Sequence, residues 1–255
     1  MIKTPIYAIS DIHGDLVKLK AIEARIRADA AKHNISDYTV IYIGDLVDRR
    51  EDSKGVIEHL MAGIAAGKPW IVLKGNHDRM MQWFMEDPDR PDDHLKPGYS
   101  WLYHRIGGRE TLASYGVTYA DDTDLHVIQK MALAAIPPEH ISFLRNLPTY
   151  IETDKYIFVH AGIRPNVPMD QQTEDDLVWI REPFFDYHDS FGKLVIHGHT
   201  VIDHVTDYGN RINIDTGAAW GGPISVIFVD DTGVIEVNAD GQRVAIAKAE
   251  DETES

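Results

Sequence analysis

Three short segments, each following an apolar run, collect the residue types that bind cations and move protons. They are Ser10-Asp11-Ile12-His13-Gly14-Asp15, Gly44-Asp45-Leu46-Val47-Asp48-Arg49-Arg50 and Lys74-Gly75-Asn76-His77-Asp78. In extended chain, residues two apart face the same way, so Asp11 and His13 can grip one ion from one side while Gly14 lets the chain turn sharply. Taken singly, each segment is ordinary, because Asp and Asn are common in turns and helix N-caps. Three in series are different. If the preceding strands are parallel neighbours, carboxylates and imidazoles gather on one rim of a poorly solvated cleft, where their charge needs compensation. A bound pair of divalent cations supplies it. Two later segments, Val159-His160-Ala161-Gly162 and Ile196-His197-Gly198-His199-Thr200, place further histidines directly after apolar runs. Metal ligation would give such an imidazole the partner it lacks there.

The apolar runs are the strands that must hold these segments: Pro5 to Ser10, Tyr38 to Ile43 and Trp70 to Leu73. Between them, Leu16, Leu19, Ile22 and Ile26 form one helical stripe, and Val56, Ile57, Leu60 and Ile64 another. The first third therefore reads βαβαβ, which predicts parallel strands with their ligand loops converging at the carboxyl ends. From Arg79 to about Asn146 the pattern turns helical, rich in aromatics and broken by Pro88, Pro91, Pro97, Gly107-Gly108 and Pro137-Pro138. This predicts an inserted helical lobe at about 79–146, in which Trp83, Phe84, Tyr99, Trp101, Tyr103 and Tyr115 are mainly core. A hairpin follows at Tyr150 to Thr153 and Lys155 to Val159, then a strand at Leu194 to Ile196 and short strands near Val205, Ile212 and Ile224 to Val229. These later strands are expected to form a mixed second sheet packed on the first. The expected fold is an α/β, αββα sandwich, with residues 1–249 as one domain and the acidic residues 250–255 as a solvated tail.

Composition narrows the possible partners. The 255 residues are 44% hydrophobic and 26% charged, as in an ordinary globular protein. Forty-one acids against 25 bases give a net charge of -16, which argues against nucleic acid or anionic lipid as partner through a general basic surface. Any phosphorylated substrate must meet locally placed positive charge. With no cysteine and 13 histidines, the chain offers neither disulfides nor thiolate ligands, and its metal ligands must be nitrogen and oxygen donors. The first ten residues carry one lysine and a short apolar run ending at Asp11, unlike a signal peptide, and no stretch is apolar enough to span a bilayer. A cytoplasmic protein is expected.

Together the five segments resemble the calcineurin-like metallophosphoesterases, and within them the bacterial and phage Ser/Thr protein phosphatases of the phosphoprotein phosphatase family, over Ile6 to about Val229. The resemblance implies that Asp11 and His13 bind one metal, that Asp45 bridges two, and that Asn76, His160 and His199 bind the second. His197, two residues before His199, would face the same cleft if the chain stays extended, but it is expected to stand behind the ligands and not among them. The donor set suits Mn²⁺ first, with Fe or Zn²⁺ as other candidates. Phosphate-monoester hydrolysis is extremely slow uncatalysed, and two metals roughly 3.5 to 4 Å apart would hold a bridging hydroxide for direct attack on phosphorus. His77 would protonate the leaving oxygen, Asp48 would orient His77, and Arg49 and Arg181 would clamp the phosphate. Phosphoserine and phosphothreonine in proteins are the expected substrates. A bis(5'-nucleosyl)-tetraphosphatase sharing these motifs is the alternative, and a non-catalytic phosphate-binding scaffold would have lost ligands, of which none is missing. Two positions depart from the family pattern: Arg50 stands for a glycine and Asp78 for a glutamate. A positive φ at that glycine would strain Arg50 by about 1 kcal/mol or more.

Overall fold

Alternation along the first strand sets the layering. In the computed structural model, which describes residues 5–249, β1 (Ile6–Ile9) sends Ile6 and Ala8 into one apolar cluster and Tyr7 and Ile9 into another. This is the period of two expected of a strand buried on both faces. The acidic segment expected to form a tail lies outside the described residues.

Chain order gives β1, α1 (Leu16–Lys32), β2 (Thr39–Tyr42), α2 (Ser53–Ala65), β3 (Trp70–Val72), α3 (Asn76–Glu86), α4 (Gly108–Ser114), α5 (Leu125–Ala135) and α6 (Pro138–Arg145). There follow β4 (Tyr150–Glu152), β5 (Tyr156–Val159), α7 (Glu174–Trp179), β6 (Leu194–His197), β7 (Thr206–Asp207), β8 (Arg211–Asn213), β9 (Val226–Asp230), β10 (Gly233–Val237), β11 (Arg243–Val244) and β12 (Ala247–Lys248). Two six-stranded sheets result, ordered β11-β10-β9-β1-β2-β3 and β12-β7-β8-β6-β5-β4. The first contains the parallel run β1, β2, β3, and the second the parallel run β5, β6, β8. Ile6, Ala8, Ile41 and Ile43 of the first sheet share a cluster with Phe158, Ile196 and Ile212 of the second, so the sheets pack face to face. The outer face of the first sheet carries α1, α2 and the apolar residues of α3 to α6 in one continuous cluster. The outer face of the second is covered by Leu177 of α7 with Ile180 and Phe184. The fold is an αββα sandwich.

Two expectations are corrected, one about a strand and one about the start of the helical segment. The run Ile224 to Val229 does not join the second sheet; β9 pairs antiparallel with β1, with Ile6 opposite Val229. Both sheets are apolar on both faces, so the hydrophobic pattern alone does not select a partner. Strands β10 to β12 escaped the sequence reading because they are half-buried or exposed and alternate weakly. The helical segment starts at Asn76, before the expected Arg79, because Asn76 to Asp78 form the first turn of α3. No helix among the described residues is long and apolar enough to cross a membrane.

The late strands are tied to the early core through one carboxylate. Buried Asp29 of α1 accepts hydrogen bonds from the Tyr7 hydroxyl at 2.6 Å and from Arg243 Nη2 at 2.7 Å. Burial raises the pKa of Asp29, but the bonds from Arg243 and Tyr7 outweigh it and hold it below the ordinary carboxylate value. A group depressed in the folded state stabilises at neutral pH and loses that contribution as pH falls through its folded pKa. We expect Arg243→Met to lower stability by about 3 kcal/mol at pH 7, with the gap to wild type narrowing below about pH 4 as Asp29 protonates. Urea melts at both pH values measure this, and an equal gap at the two would contradict it.

Candidate metal centre

Each segment singled out in the sequence sits just beyond a strand's carboxyl end. Asp11 and His13 follow β1, Asp45 follows β2, Asn76 opens α3 after β3, His160 follows β5 and His199 follows β6. The loops are stitched together by their backbones: the Ile12 and His13 amides donate to Asp45 O at 3.0 and 2.8 Å, and the Gly198 amide to His160 O at 2.8 Å. Close approach requires glycine at Gly75, where a Cβ would fall 2.1 Å from Asp45 Oδ1. His13, Asp45, Asp48, Arg49 and His199 all adopt positive φ, between 50° and 75°. Such backbone costs of order 1–3 kcal/mol per residue and persists where the surroundings over-determine it.

Hydrogen bonding at the far side of the His160 and His13 rings fixes which imidazole nitrogen faces inward. His160 Nδ1 donates to Ile43 O at 3.0 Å, so its Nε2 presents a lone pair, 2.9 Å from Asn76 Oδ1 and 3.3 Å from Asp45 Oδ1. His13 Nδ1 donates to Val47 O at 3.1 Å, which leaves its Nε2 facing Asp45 Oδ2 at 3.5 Å. His199 Nδ1 lies 2.9 Å from the same Asn76 oxygen. Burial pushes His160 down to about 3 and His13 and His199 well below the ordinary imidazole value. Burial, followed by repulsion from Asp215 and Asp45, pushes Asp11 up; burial, followed by Asp78, pushes Asp45 up. Imidazole nitrogens, carboxylates and the Asn76 oxygen therefore converge on one small, poorly solvated volume.

A metal pair fits this donor set. The ligand atoms of His13, Asp45 and His77 lie within 4.8 Å of one another, as do those of Asp45, His160 and His199, and Asp45 belongs to both groups. Asp11 is outside both; its carboxylate accepts from the His199 amide at 3.3 Å. Asp215 escaped the sequence reading. It is 3% exposed, is raised to about 6 by burial, and repels Asp11 and Asp45. Its signal was Ile212-Asn213-Ile214-Asp215-Thr216-Gly217, the same apolar run, carboxylate and glycine, masked by the shortness of β8.

The remaining expected residues divide. His77 Nδ1 lies 2.6 Å from Asp48 Oδ2, and Asp48 also accepts from Trp101 Nε1 at 2.9 Å and Thr111 Oγ1 at 2.7 Å. Burial raises Asp48 to about 7 against those bonds from Thr111 and Trp101. Trp101 is core, as its spacing indicated, but its indole N–H reaches the centre, which hydrophobic pattern does not reveal. Asp78 accepts from the Leu46 amide at 3.0 Å and the Gly75 amide at 2.8 Å, so the shorter acid ties the second loop to α3. Positive φ falls on Asp48 and Arg49 and not on Arg50, so arginine in place of the family's glycine creates no strain there. Arg49 Cζ lies over the Trp220 ring, 4.3 Å from its centroid, with Nε buried and unpartnered. Arg181 is exposed and lies beyond the end of α7 instead of on a helix, yet its charge reaches His160 and His199. His197 turns away: the chain does not stay extended, since His199 has φ 66°, and the His197 ring packs edge-on against Phe184 at 5.0 Å.

The family model of calcineurin-like phosphoesterases matches residues 4–203. The chain belongs to that family. It is a metal-dependent phosphoester hydrolase, and the family is built on a dinuclear metal centre. The chain is 26% identical over 240 residues to serine/threonine-protein phosphatase 2 of Escherichia coli, covering 86% of this chain and 90% of that protein. It is 21% identical over 240 residues to the asymmetrical bis(5'-nucleosyl)-tetraphosphatase PrpE of Anoxybacillus flavithermus, covering 86% and 88%. A crystal structure provisionally assigned as a diadenosine tetraphosphatase superposes with a TM-score of 0.62 at 18% identity, covering 91% of this chain and 92% of the other.

Cations that relieve the repulsion among Asp11, Asp45 and Asp215 must also stabilise the fold. We expect saturating Mn²⁺ to raise the Tm of the EDTA-stripped protein by about 5 to 10 °C. Asp45→Asn should melt above wild type without metal and lose most of that rise, as read by thermal melts. No metal-dependent rise in wild type would contradict it.

Proposed function

We propose that this chain is a phosphomonoesterase of the Ser/Thr protein phosphatase type, with Asp11, His13, Asp45, Asn76, His160 and His199 holding two divalent ions, Mn²⁺ foremost. The observation that carries the reading is the 2.6 Å contact between His77 Nδ1 and Asp48 on an imidazole whose ligand-range neighbours are His13 and Asp45. It is a proton carrier held in one tautomer beside the cation site. When bound, the ions supply Lewis acidity toward the phosphoryl oxygens and lower the pKa of water.

The chain's own residues supply the rest. Asp48 accepts from Nδ1 and so leaves His77 Nε2 to carry the proton for the leaving oxygen. Burial, followed by Arg49, lowers the pKa of His77, so its proton arrives with the substrate, whose negative charge favours the imidazolium. Trp101 and Thr111 hold Asp48 from the side of the inserted helices. Arg49, with a buried unpartnered Nε, is the phosphate clamp, and its planar fork can bond two phosphoryl oxygens. Arg181 is the second.

A dinucleoside polyphosphate hydrolase is the second reading, favoured by the PrpE relative and by Arg50, which adds a second cation beside Arg49 for a longer phosphate chain. Turnover of a phosphoserine peptide against diadenosine tetraphosphate by the Mn²⁺-loaded protein separates the two; faster cleavage of the dinucleotide would overturn the first. For the acid, we expect His77→Asn to lower kcat on the phosphoserine peptide by about 10² to 10⁴ with little change in KM. The loss on p-nitrophenyl phosphate should be smaller, because that leaving group needs little protonation. An unchanged kcat on the peptide would remove His77 from the role.

A further inference from the structure

Two consecutive arginines meet the turn that joins β8 to β9, and they meet it differently. Arg50, which stands where the family pattern has glycine, reaches the backbone of the turn. Its Nε donates to Ala218 O at 3.4 Å, and its Nη2 lies 2.8 Å from where a Cβ on Gly221 would stand. Its own backbone is tied to the first ligand loop, since its amide donates to His13 O at 3.1 Å. Arg49 meets a side chain instead, with its Cζ over the Trp220 ring, 4.3 Å from the centroid.

Neither partner in that contact is fixed by its immediate surroundings. Trp220 is 61% exposed, so burial does not hold the indole. What holds it is the backbone beneath, a short helical turn Ala218–Trp220 flanked by Gly217 (φ 82°) and Gly221 (φ 98°). The Trp220 and Gly222 amides donate to Gly217 O at 2.9 Å, Lys18 Nζ on α1 donates to Gly222 O at 2.9 Å, and Arg50 adds its hold on Ala218 and Gly221. Arg49 has its Nε buried without a partner, and among the described residues no carboxylate pairs with its guanidinium. After burial, the Arg49 charge is what lowers the pKa of His77, so the guanidinium stands within electrostatic reach of the cation site. A long side chain loses rotamer freedom when it forms a bidentate bond to phosphate, and one already laid on an indole has lost part of that freedom beforehand.

We propose that Arg50 is a positioning residue, which by holding the 217–222 turn keeps the Trp220 indole against Arg49 and so orients the guanidinium for phosphate. The inference rests on Arg49 being the phosphate clamp proposed above. It gives the arginine that replaces the family's glycine a task that glycine cannot perform. Any effect of Arg50 or Trp220 on phosphate must then pass through Arg49 and vanish when Arg49 is removed, whereas a cation touching the phosphate itself would act without Arg49.

The test is calorimetric titration of the Mn²⁺-loaded protein with inorganic phosphate, for wild type, Arg50→Met, Trp220→Ala and Trp220→Phe, each with Arg49 intact and with Arg49→Ala. With Arg49 intact, we expect Arg50→Met and Trp220→Ala each to weaken binding about 3- to 10-fold, and Trp220→Phe to restore most of the loss. With Arg49→Ala, none of the three should change affinity by more than about two-fold. A loss from Arg50→Met that survives in Arg49→Ala would make Arg50 a phosphate contact of its own and overturn the inference, as would wild-type affinity in Arg50→Met. NMR relaxation at the arginine Nε positions of the Zn²⁺-loaded protein keeps the inference distinct from the clamp reading. Should Arg49→Ala bind phosphate as wild type does, the clamp reading fails, and the relaxation still decides whether Arg50 positions Arg49. The Arg49 Nε signal, assigned by its loss in Arg49→Ala, should be rigid in wild type and mobile in Arg50→Met and Trp220→Ala; equal rigidity in all three would overturn the positioning role.

Discussion

The constraint on which this molecule turns is the convergence of lone pairs at one rim. His13, His160 and His199 each direct a lone-pair nitrogen or a buried edge at Asp45 or Asn76, and each is held neutral by burial. A cation among them would relieve the crowding of carboxylates and lone pairs, and much of the surrounding architecture keeps these groups from relaxing apart. Parallel strands deliver them to one edge, backbone bonds between loops lock the spacing, and five residues accept left-handed backbone to aim their side chains inward. Strain of that size persists because the bonds between the loops over-determine it.

The helices between β3 and β4 belong to this arrangement and are not an attachment to it. Their apolar residues extend the cluster under α1 and α2, which makes the lobe rigid with the first sheet. From that footing Trp101 and Thr111 reach Asp48, and Gly107 lets the chain pass so close that a Cβ there would fall 2.3 Å from the Arg49 amide. The lobe therefore reaches both the carboxylate that orients His77 and the backbone of the arginine beside it. Asp78 completes the frame by bridging the amides of Leu46 and Gly75, so that the second and third loops move as one.

How much of this was legible depends on how local the signal was. The strands β1, β2 and β3 and the loops after them announce themselves by an apolar run ending in Asp, His, Asn and Gly, and the αββα layering follows from them. Partner choice was not local. β9 lies beside β1 because the sheets compete for equally apolar strands, and no residue of Val226–Asp230 records which one wins. The direction of His197 depended on a backbone reversal at His199 that a histidine does not advertise as a glycine would. Asp215 was hidden by a three-residue strand, and the role of Trp101 by the fact that an indole at core spacing looks the same whether or not its N–H has a charged partner.

The central claim is that two cations sit on either side of Asp45. The most direct measurement is the anomalous scattering of crystals of the Mn²⁺-loaded protein grown with phosphate. Two anomalous peaks flanking the Asp45 carboxylate, one beside His13 and the other beside Asn76, His160 and His199, are the predicted result. A single peak, or peaks away from Asp45, would contradict the account.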